Sequence, residues 1–150
     1  MRQGDAAQVP PKLAGLLATF LPTALLHLAR CERRGVAVLV TSGWRSPIEQ
    51  MNLFSRGRCL NPVTGVWVVS DQAQVVTNAM PDKAPHCRGA AYDFCPLVDE
   101  RPAWGRLDLF QVIADCSVGL GLTWGGSWLK IKDMPHFELP TWRDLPIKEV

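Results

Sequence analysis

Ala84-Pro85-His86-Cys87-Arg88-Gly89-Ala90-Ala91-Tyr92-Asp93 is the stretch whose reading decides the fold. From Gly89 to Cys95 it reads as a strand with two faces. Gly89, Ala91, Asp93 and Cys95 share one face, and Ala90, Tyr92 and Phe94 share the other, because successive strand side chains point to opposite sides. Small neighbours leave room around Asp93 for a metal and a substrate. His86 lies seven positions before Asp93, with Gly89 between them. A second segment, Asp133-Met134-Pro135-His136, puts a carboxylate three positions before another His. Two imidazoles and one carboxylate suffice for a three-ligand zinc site with an open fourth position. A further carboxylate beside it is what a metal-bound water needs as a base.

Outward from this centre, Val36–Val40 is a short apolar run that reads as a buried strand. Thr41-Ser42-Gly43-Trp44-Arg45 follows as a turn carrying one arginine. Ser46-Pro47-Ile48-Glu49 is a helix start, with Ser46 as cap, Pro47 at the first helical position and Glu49 completing a capping box. That helix is predicted to reach Arg56 and stop at Gly57. Residues 58–80 read as extended segments joined by turns, with strands at Val66–Val69 and Gln74–Thr77. Leu107–Val118 is predicted helical with Phe110, Ile113 and Ala114 inward. Short strands follow at Leu122–Gly125 and His136–Leu139, the latter placing His136 and Glu138 on one face. Residues 1–11 read as a loose arm, 12–34 as helical and 36–139 as the catalytic core of one 1–150 domain, a length that supports a real core.

The totals narrow the function classes. The chain has 47% hydrophobic and 20% charged residues, with a formal net charge of +2. That is ordinary for a soluble globular protein. So small a charge, without an Arg/Lys run, argues against nucleic-acid partners. The five cysteines, Cys31, Cys59, Cys87, Cys95 and Cys116, are odd in number and contain no C-x-x-C pair. A disulfide scaffold is therefore not expected. Cys87 and Cys95 flank the His/Asp set and are the alternative ligands. The apolar run Leu13–Ala29 repeats at helical spacing, is interrupted by Pro22, and is shorter than the ~20 residues of a spanning helix. It reads as core helix, with an uncleaved signal-anchor as the alternative. No cleaved signal peptide and no stable membrane association are expected.

Each candidate has a role set by its chemistry. Zinc held by His86, Asp93 and His136 lowers the pKa of a bound water toward ~7. Asp133 is placed to take its proton and pass it to a leaving amine, and Glu138 competes for that role. Arg45, at the end of a strand, faces a developing oxyanion or clamps a substrate carboxylate. His27 sits in the first helix with no evident partner and reads as structural. Trp124 and Trp128 line either a cleft or the core.

Three segments in this order resemble the zinc peptidases that cut D-amino-acid bonds in bacterial cell-wall peptides. That family includes D-alanyl-D-alanine carboxypeptidases and L-alanyl-D-glutamate endopeptidases. Its Ser-Gly-aromatic-Arg-Ser turn is matched by Ser42-Gly43-Trp44-Arg45-Ser46, followed by Gln50. Its Ser-x-His-x-x-Gly-x-Ala-x-Asp is matched from Ala84 to Asp93. Its carboxylate-x-x-His is matched by Asp133 to His136. One position departs: Ala84 stands where the family has Ser. The wording of Asp133 to Glu138 and of Trp124-Gly125-Gly126 is most similar to the phage endolysin branch.

The resemblance implies an α+β fold, a small antiparallel sheet with packed helices of the hedgehog/D-Ala-D-Ala-peptidase type. It implies Zn2+ on His86, Asp93 and His136, Asp133 as base and Arg45 as electrostatic helper; Gln50, Trp124 and Trp128 are the candidate substrate contacts. It implies a phage endolysin, a zinc L-alanyl-D-glutamate endopeptidase whose substrate is the peptidoglycan stem peptide. Such an enzyme is expected to be monomeric and made in the host cytoplasm. It reaches the periplasmic wall once the membrane is permeabilised. The alternatives are a D-alanyl-D-alanine carboxypeptidase with the same metal site and a non-catalytic zinc-binding module of the same fold.

Overall fold

A computed structural model describes residues 8–149; the arm expected at 1–11 therefore falls mostly outside the described residues. Seven strands and three helices follow in chain order. They are α1 (Leu21–Arg33), β1 (Ala37–Ser42), α2 (Pro47–Ser55), β2 (Arg58–Leu60), β3 (Trp67–Val69), β4 (Ala91–Val98), β5 (Arg101–Pro102), α3 (Leu107–Asp115), β6 (Thr123–Trp124) and β7 (His136–Glu138). The main sheet runs β1-β4-β7-β6, with β5 also on β4, and every pairing in it is antiparallel. β2 and β3 form a separate two-stranded sheet. The architecture is α+β, as the sequence leads one to expect.

The core follows from the alternation in β4. Tyr92 and Phe94 are fully buried and stack with Phe20 and Phe137. Leu13, Leu16, Ala24 and Ile113 close the same cluster from the helical side. His27 belongs to it too. Its Nδ1 lies 2.7 Å from the Tyr92 hydroxyl and its Nε2 2.7 Å from the Ile113 carbonyl oxygen. A carbonyl only accepts, so Nε2 carries the proton and Nδ1 accepts from Tyr92. His27 is structural, as read, but it has two partners where the sequence suggested none.

Several local expectations change. Residues 11–19 are mostly turns, and regular helix begins at Leu21. β1 is an edge strand with Ala37 and Leu39 exposed, so the apolar run is half-buried rather than buried. Ser46 caps α2 by accepting from the Glu49 N–H at 3.1 Å. The strand expected at Gln74–Thr77 is absent; a 3-10 turn at Gln72–Gln74 stands there, capped by Asp71. An Asx turn at that point gives the backbone an alternative to a ladder. α3 stops at Asp115, three residues early, with Phe110, Ile113 and Ala114 buried as expected.

Candidate metal centre

Register builds the centre. Asp93 of β4 pairs directly with His136 of β7. Directly opposed residues of antiparallel strands present their side chains on one face, at contact distance. A one-residue slip would turn His136 to the other face. His136 Nδ1 lies 3.1 Å from Asp93 Oδ1. His86 arrives from a 3-10 turn at Pro85–Arg88, and its Nε2 lies 3.5 Å from the same oxygen. The donor atoms of His86, Asp93 and His136 all lie within 4.8 Å of one another, and they are the one group of this kind among the described residues. Cys87 and Cys95, the alternative ligands, are not part of it; all five cysteines are free thiols.

The outer nitrogens of both imidazoles are occupied. His86 Nδ1 donates to the Gly43 carbonyl at 2.8 Å. His136 Nε2 donates to Glu138 Oε1 at 2.8 Å. Each ring is thereby fixed in the tautomer that turns its other nitrogen toward Asp93, the arrangement by which outer-shell acceptors orient metal ligands. Glu138 is buried and hydrogen-bonded to His136, the place of a group that orients the imidazole. Its position two residues after His136 on one strand face was the legible signal. The Gly43 carbonyl carried none, because backbone acceptors leave no mark in sequence. Gly43 itself is required: a Cβ there would fall 1.8 Å from the Lys12 carbonyl oxygen.

The charge balance of the site fits a divalent cation. Burial works against the Asp93 carboxylate, yet hydrogen bonds from His136 and His86 hold its pKa far below the usual range. Burial works against the His136 cation, yet Asp93 and Glu138 raise its pKa to about 9. Two carboxylates around one imidazole create a demand for positive charge that a metal ion, displacing the proton, satisfies. A two-imidazole, one-carboxylate donor set suits zinc.

Asp133 lies at the mouth. It lines the cleft, and its carboxylate makes no hydrogen bond among the described residues. Its backbone N–H binds the Gly125 carbonyl at 2.9 Å. A Cβ on Gly125 would meet the Asp133 carbonyl oxygen at 2.4 Å and His136 Cβ at 3.1 Å, so glycine permits this corner to close. Partial burial, reinforced by the nearby Asp93 charge, raises the Asp133 pKa. A carboxyl so shifted is a better proton acceptor than an ordinary aspartate.

Arg45 is held from two sides. Its Nη1 donates to Gln50 Oε1 at 2.8 Å and its Nη2 to Ser42 Oγ at 2.9 Å. Gln50 is fully buried, and its Nε2 donates to the Ala79 carbonyl at 2.8 Å. Gln50 also lines the cleft, and its amide links Arg45 on one side to the Ala79 backbone on the other. Trp128 lines the cleft beside His136, with ring centroids 5.3 Å apart. Trp124 does not: its Nε1 donates to the Met134 carbonyl and its ring stacks on Phe137. The cleft, about 820 Å³, brings together Arg45, His86, Asp93, Trp128, Asp133 and His136.

The chain is similar to known proteins in sequence and in fold. Residues 77–139 match a family profile described as D-alanyl-D-alanine carboxypeptidase. The chain is 30% identical over 121 residues to the peptidoglycan L-alanyl-D-glutamate endopeptidase CwlK of Bacillus subtilis (strain 168). That match covers 74% of this chain and 65% of CwlK, so the chain spans a little under two thirds of its relative. Its fold is similar to that of the Serratia marcescens L-Ala D-Glu endopeptidase ChiX, with a TM-score of 0.60, 23% identity, and coverage of 93% of this chain and 91% of ChiX. It is also similar to a variant of the vancomycin resistance D,D-pentapeptidase VanY in complex with Zn(II), with a TM-score of 0.61, 15% identity, and coverage of 83% and 72%. The chain thus resembles the D-alanyl-D-alanine carboxypeptidase / L-alanyl-D-glutamate endopeptidase family in sequence and in fold.

Proposed function

We propose that this chain is a zinc-dependent peptidoglycan hydrolase, an L-alanyl-D-glutamate endopeptidase acting on stem peptides. The observation that carries the reading is the convergence of His86, Asp93 and His136, with their outer nitrogens already tied, on the cleft that Asp133 and Arg45 also line. When bound, zinc supplies Lewis acidity, acidifying a water and polarising the scissile carbonyl. His86, Asp93 and His136 hold it. Asp133 accepts the proton of the attacking water and delivers it to the leaving amine. Arg45, fixed by Gln50 and Ser42, presents positive charge to the oxygen that becomes negative during attack. A non-catalytic zinc module has no need of Asp133 or Arg45 in that cleft.

The biological setting is part of the proposal. The wording of Asp133 to Glu138 supports a phage lysis role. In that role the chain is made in the host cytoplasm, reaches the wall after membrane permeabilisation, and works as a monomer without nucleic-acid or stable membrane partners. Among the described residues no helix is long and apolar enough to cross a membrane. The second reading is a D-alanyl-D-alanine carboxypeptidase, favoured by the description of the matched family.

Mass spectrometry of muropeptides digested with and without a chelator tests the function. Release of peptide cut between L-alanine and D-glutamate, abolished by chelation, is the expected result. Loss of a terminal alanine alone would establish the carboxypeptidase. Undiminished cleavage by metal-stripped protein would sink both.

A further inference from the structure

Three cationic side chains line the catalytic cleft: Arg45, Lys83 and Arg143. Arg45 is committed to Gln50 and Ser42. Lys83 and Arg143 are exposed, and neither enters an ion pair or side-chain hydrogen bond among the described residues. Of the carboxylates lining the cleft, Asp93 and Glu138 are hydrogen-bonded to histidines. Asp133, the remaining carboxylate of the cleft, forms no ion pair with Lys83 or Arg143, so both cations face the cleft unpaired among the described residues.

Their placement is built rather than incidental. Lys83 ends a 3-10 turn at Pro81–Lys83, and Arg143 lies in another at Trp142–Asp144. Arg88 staples the two: its guanidinium donates to the Asp82 carbonyl at 2.7 Å and to the Leu145 carbonyl. The buried Trp142 ring carries the Arg143 guanidinium at 4.3 Å and that of Arg88 at 5.4 Å. Stacking and stapling lower the entropy that a long cationic side chain loses on binding an anion. Ala84, next to Lys83, offers no side-chain donor, so polar contact from this wall comes from Lys83. Asp82 and Asp144 sit on the same turns but do not line the cleft.

We propose that Lys83 and Arg143 form a carboxylate-reading subsite, which selects peptides carrying a free carboxylate close to the scissile bond. This rests on the endopeptidase reading above. A D-glutamyl residue has two carboxyl groups, and the peptide continues through only one of them. The other stays free and anionic beside an L-alanyl-D-glutamate bond. A pair of cations recognises it by charge-assisted hydrogen bonds and rejects the neutral amide, which lacks the charge.

The test uses two end-blocked stem peptides that differ only in that carboxyl, free in one and converted to a carboxamide in the other. The zinc-loaded full chain is compared with Lys83→Gln, Arg143→Gln and the double variant by the ratio of kcat/KM for acid over amide. The ratio cancels general losses, and zinc content and melting temperature establish folding. Wild type is expected to favour the acid by roughly tenfold or more, and the double variant to fall within about threefold of parity. Lys83→Arg is expected to retain the preference. Lys83→Gln, which leaves Trp142 stacking untouched, keeps the test alive if Arg143→Gln folds poorly. A wild-type ratio near one, or an undiminished ratio in the variants, overturns the subsite while leaving the endopeptidase intact. Cleavage of neither peptide by zinc-loaded wild type overturns both.

Discussion

The corner where β4 meets β7 and the arm of residues 58–80 border one cleft but are built on opposite principles. At the corner each of the three converging side chains has a prescribed partner: Gly43 for His86, Glu138 and Asp93 for His136, strand register for Asp93. The arm is a lone two-stranded sheet exposing Leu60, Val63, Val66 and Val68. It is tied back by few contacts. Arg58 donates to the Phe54 and Thr77 carbonyls at 2.7 and 2.8 Å, Gln50 holds Ala79, and Phe54 meets Trp67 edge-on. A two-stranded hairpin is marginal by itself in water. The contrast teaches that the reacting groups are over-determined while one wall is left adaptable, as expected where a fixed chemistry meets a long polymer.

The sharpest way to break that contrast is to remove a ligand. His136→Ala and Asp93→Ala are expected to abolish stoichiometric zinc binding and peptide hydrolysis, since either leaves two ligands and an uncompensated charge. Zinc content by atomic emission beside hydrolysis of purified wall checks it. Full zinc occupancy in either variant would place the metal elsewhere. Next in size is Asp133→Ala. Its carboxylate makes no structural hydrogen bond among the described residues, so zinc and melting temperature should survive while kcat falls about 10²–10⁴-fold. Near-normal kcat would move the base to another group.

The rigid side extends beneath the sheet to His27, whose ring meets Phe137 edge-on at 4.6 Å. Burial lowers its pKa from the usual 6.5 to about 4, with the Ile113 carbonyl opposing and Arg30 assisting. The unfolded chain binds this proton below about 6.5, and the folded chain only near 4. Stability is therefore complete above about 6.5 and is lost as pH falls through the window down to about 4, a change on the order of 3 kcal/mol. Denaturant unfolding of wild type and His27→Phe at pH 7 and pH 4 checks it. The variant is weaker at pH 7, having orphaned two partners, but its loss on acidification should be smaller. Equal losses would show that His27 does not titrate between the two states.

Gln50 joins the two regions and is expected to give an intermediate effect. Gln50→Ala releases Arg45 and Ala79 together and should lower kcat/KM by about tenfold with zinc retained. Gln50→Glu keeps an acceptor for Arg45 but removes the donor to Ala79. Recovery in that variant would assign the effect to Arg45; failure to recover would assign it to the wall.

How much was legible in sequence follows the same divide. The convergence of His86, Asp93 and His136 was readable because metal chemistry restricts residue type and the strand alternation of Tyr92 to Phe94 fixes the side of Asp93. α2 was readable from Ser46 and Pro47, a local cap. Misreadings arose where tertiary context decides. Val36–Val40 is apolar throughout, and only its place at the sheet edge leaves Leu39 exposed. Gln74–Thr77 has strand-like residues but no neighbouring strand to pair with, and Asp71 captures the backbone first. The partners of Gln50, Arg45 and the Ala79 backbone, are five and 29 positions away and could not be read from its place in the sequence. The stapling by Arg88 rests on backbone carbonyls and had no signature at all.

The smallest expected effect lies on the arm itself. Val63 is 90% exposed and Val66 56% exposed, at the turn between β2 and β3. The turn is specified by other groups: the Asn61 side chain accepts from the Val63 and Thr64 N–H groups, and the Gly65 N–H binds the Asn61 carbonyl at 2.8 Å. Replacing both valines by serine therefore removes little buried area and no hydrogen bond of the turn. Stability should stay within about 0.5 kcal/mol, and cleavage of a short soluble stem peptide should be unchanged. Intact wall is the informative substrate. If Val63→Ser/Val66→Ser slows wall digestion while leaving the short peptide alone, the arm contributes to holding polymer and the two regions divide labour between grip and chemistry. If the short peptide slows as well, the arm is coupled to the metal corner, and the separation drawn from their construction is wrong.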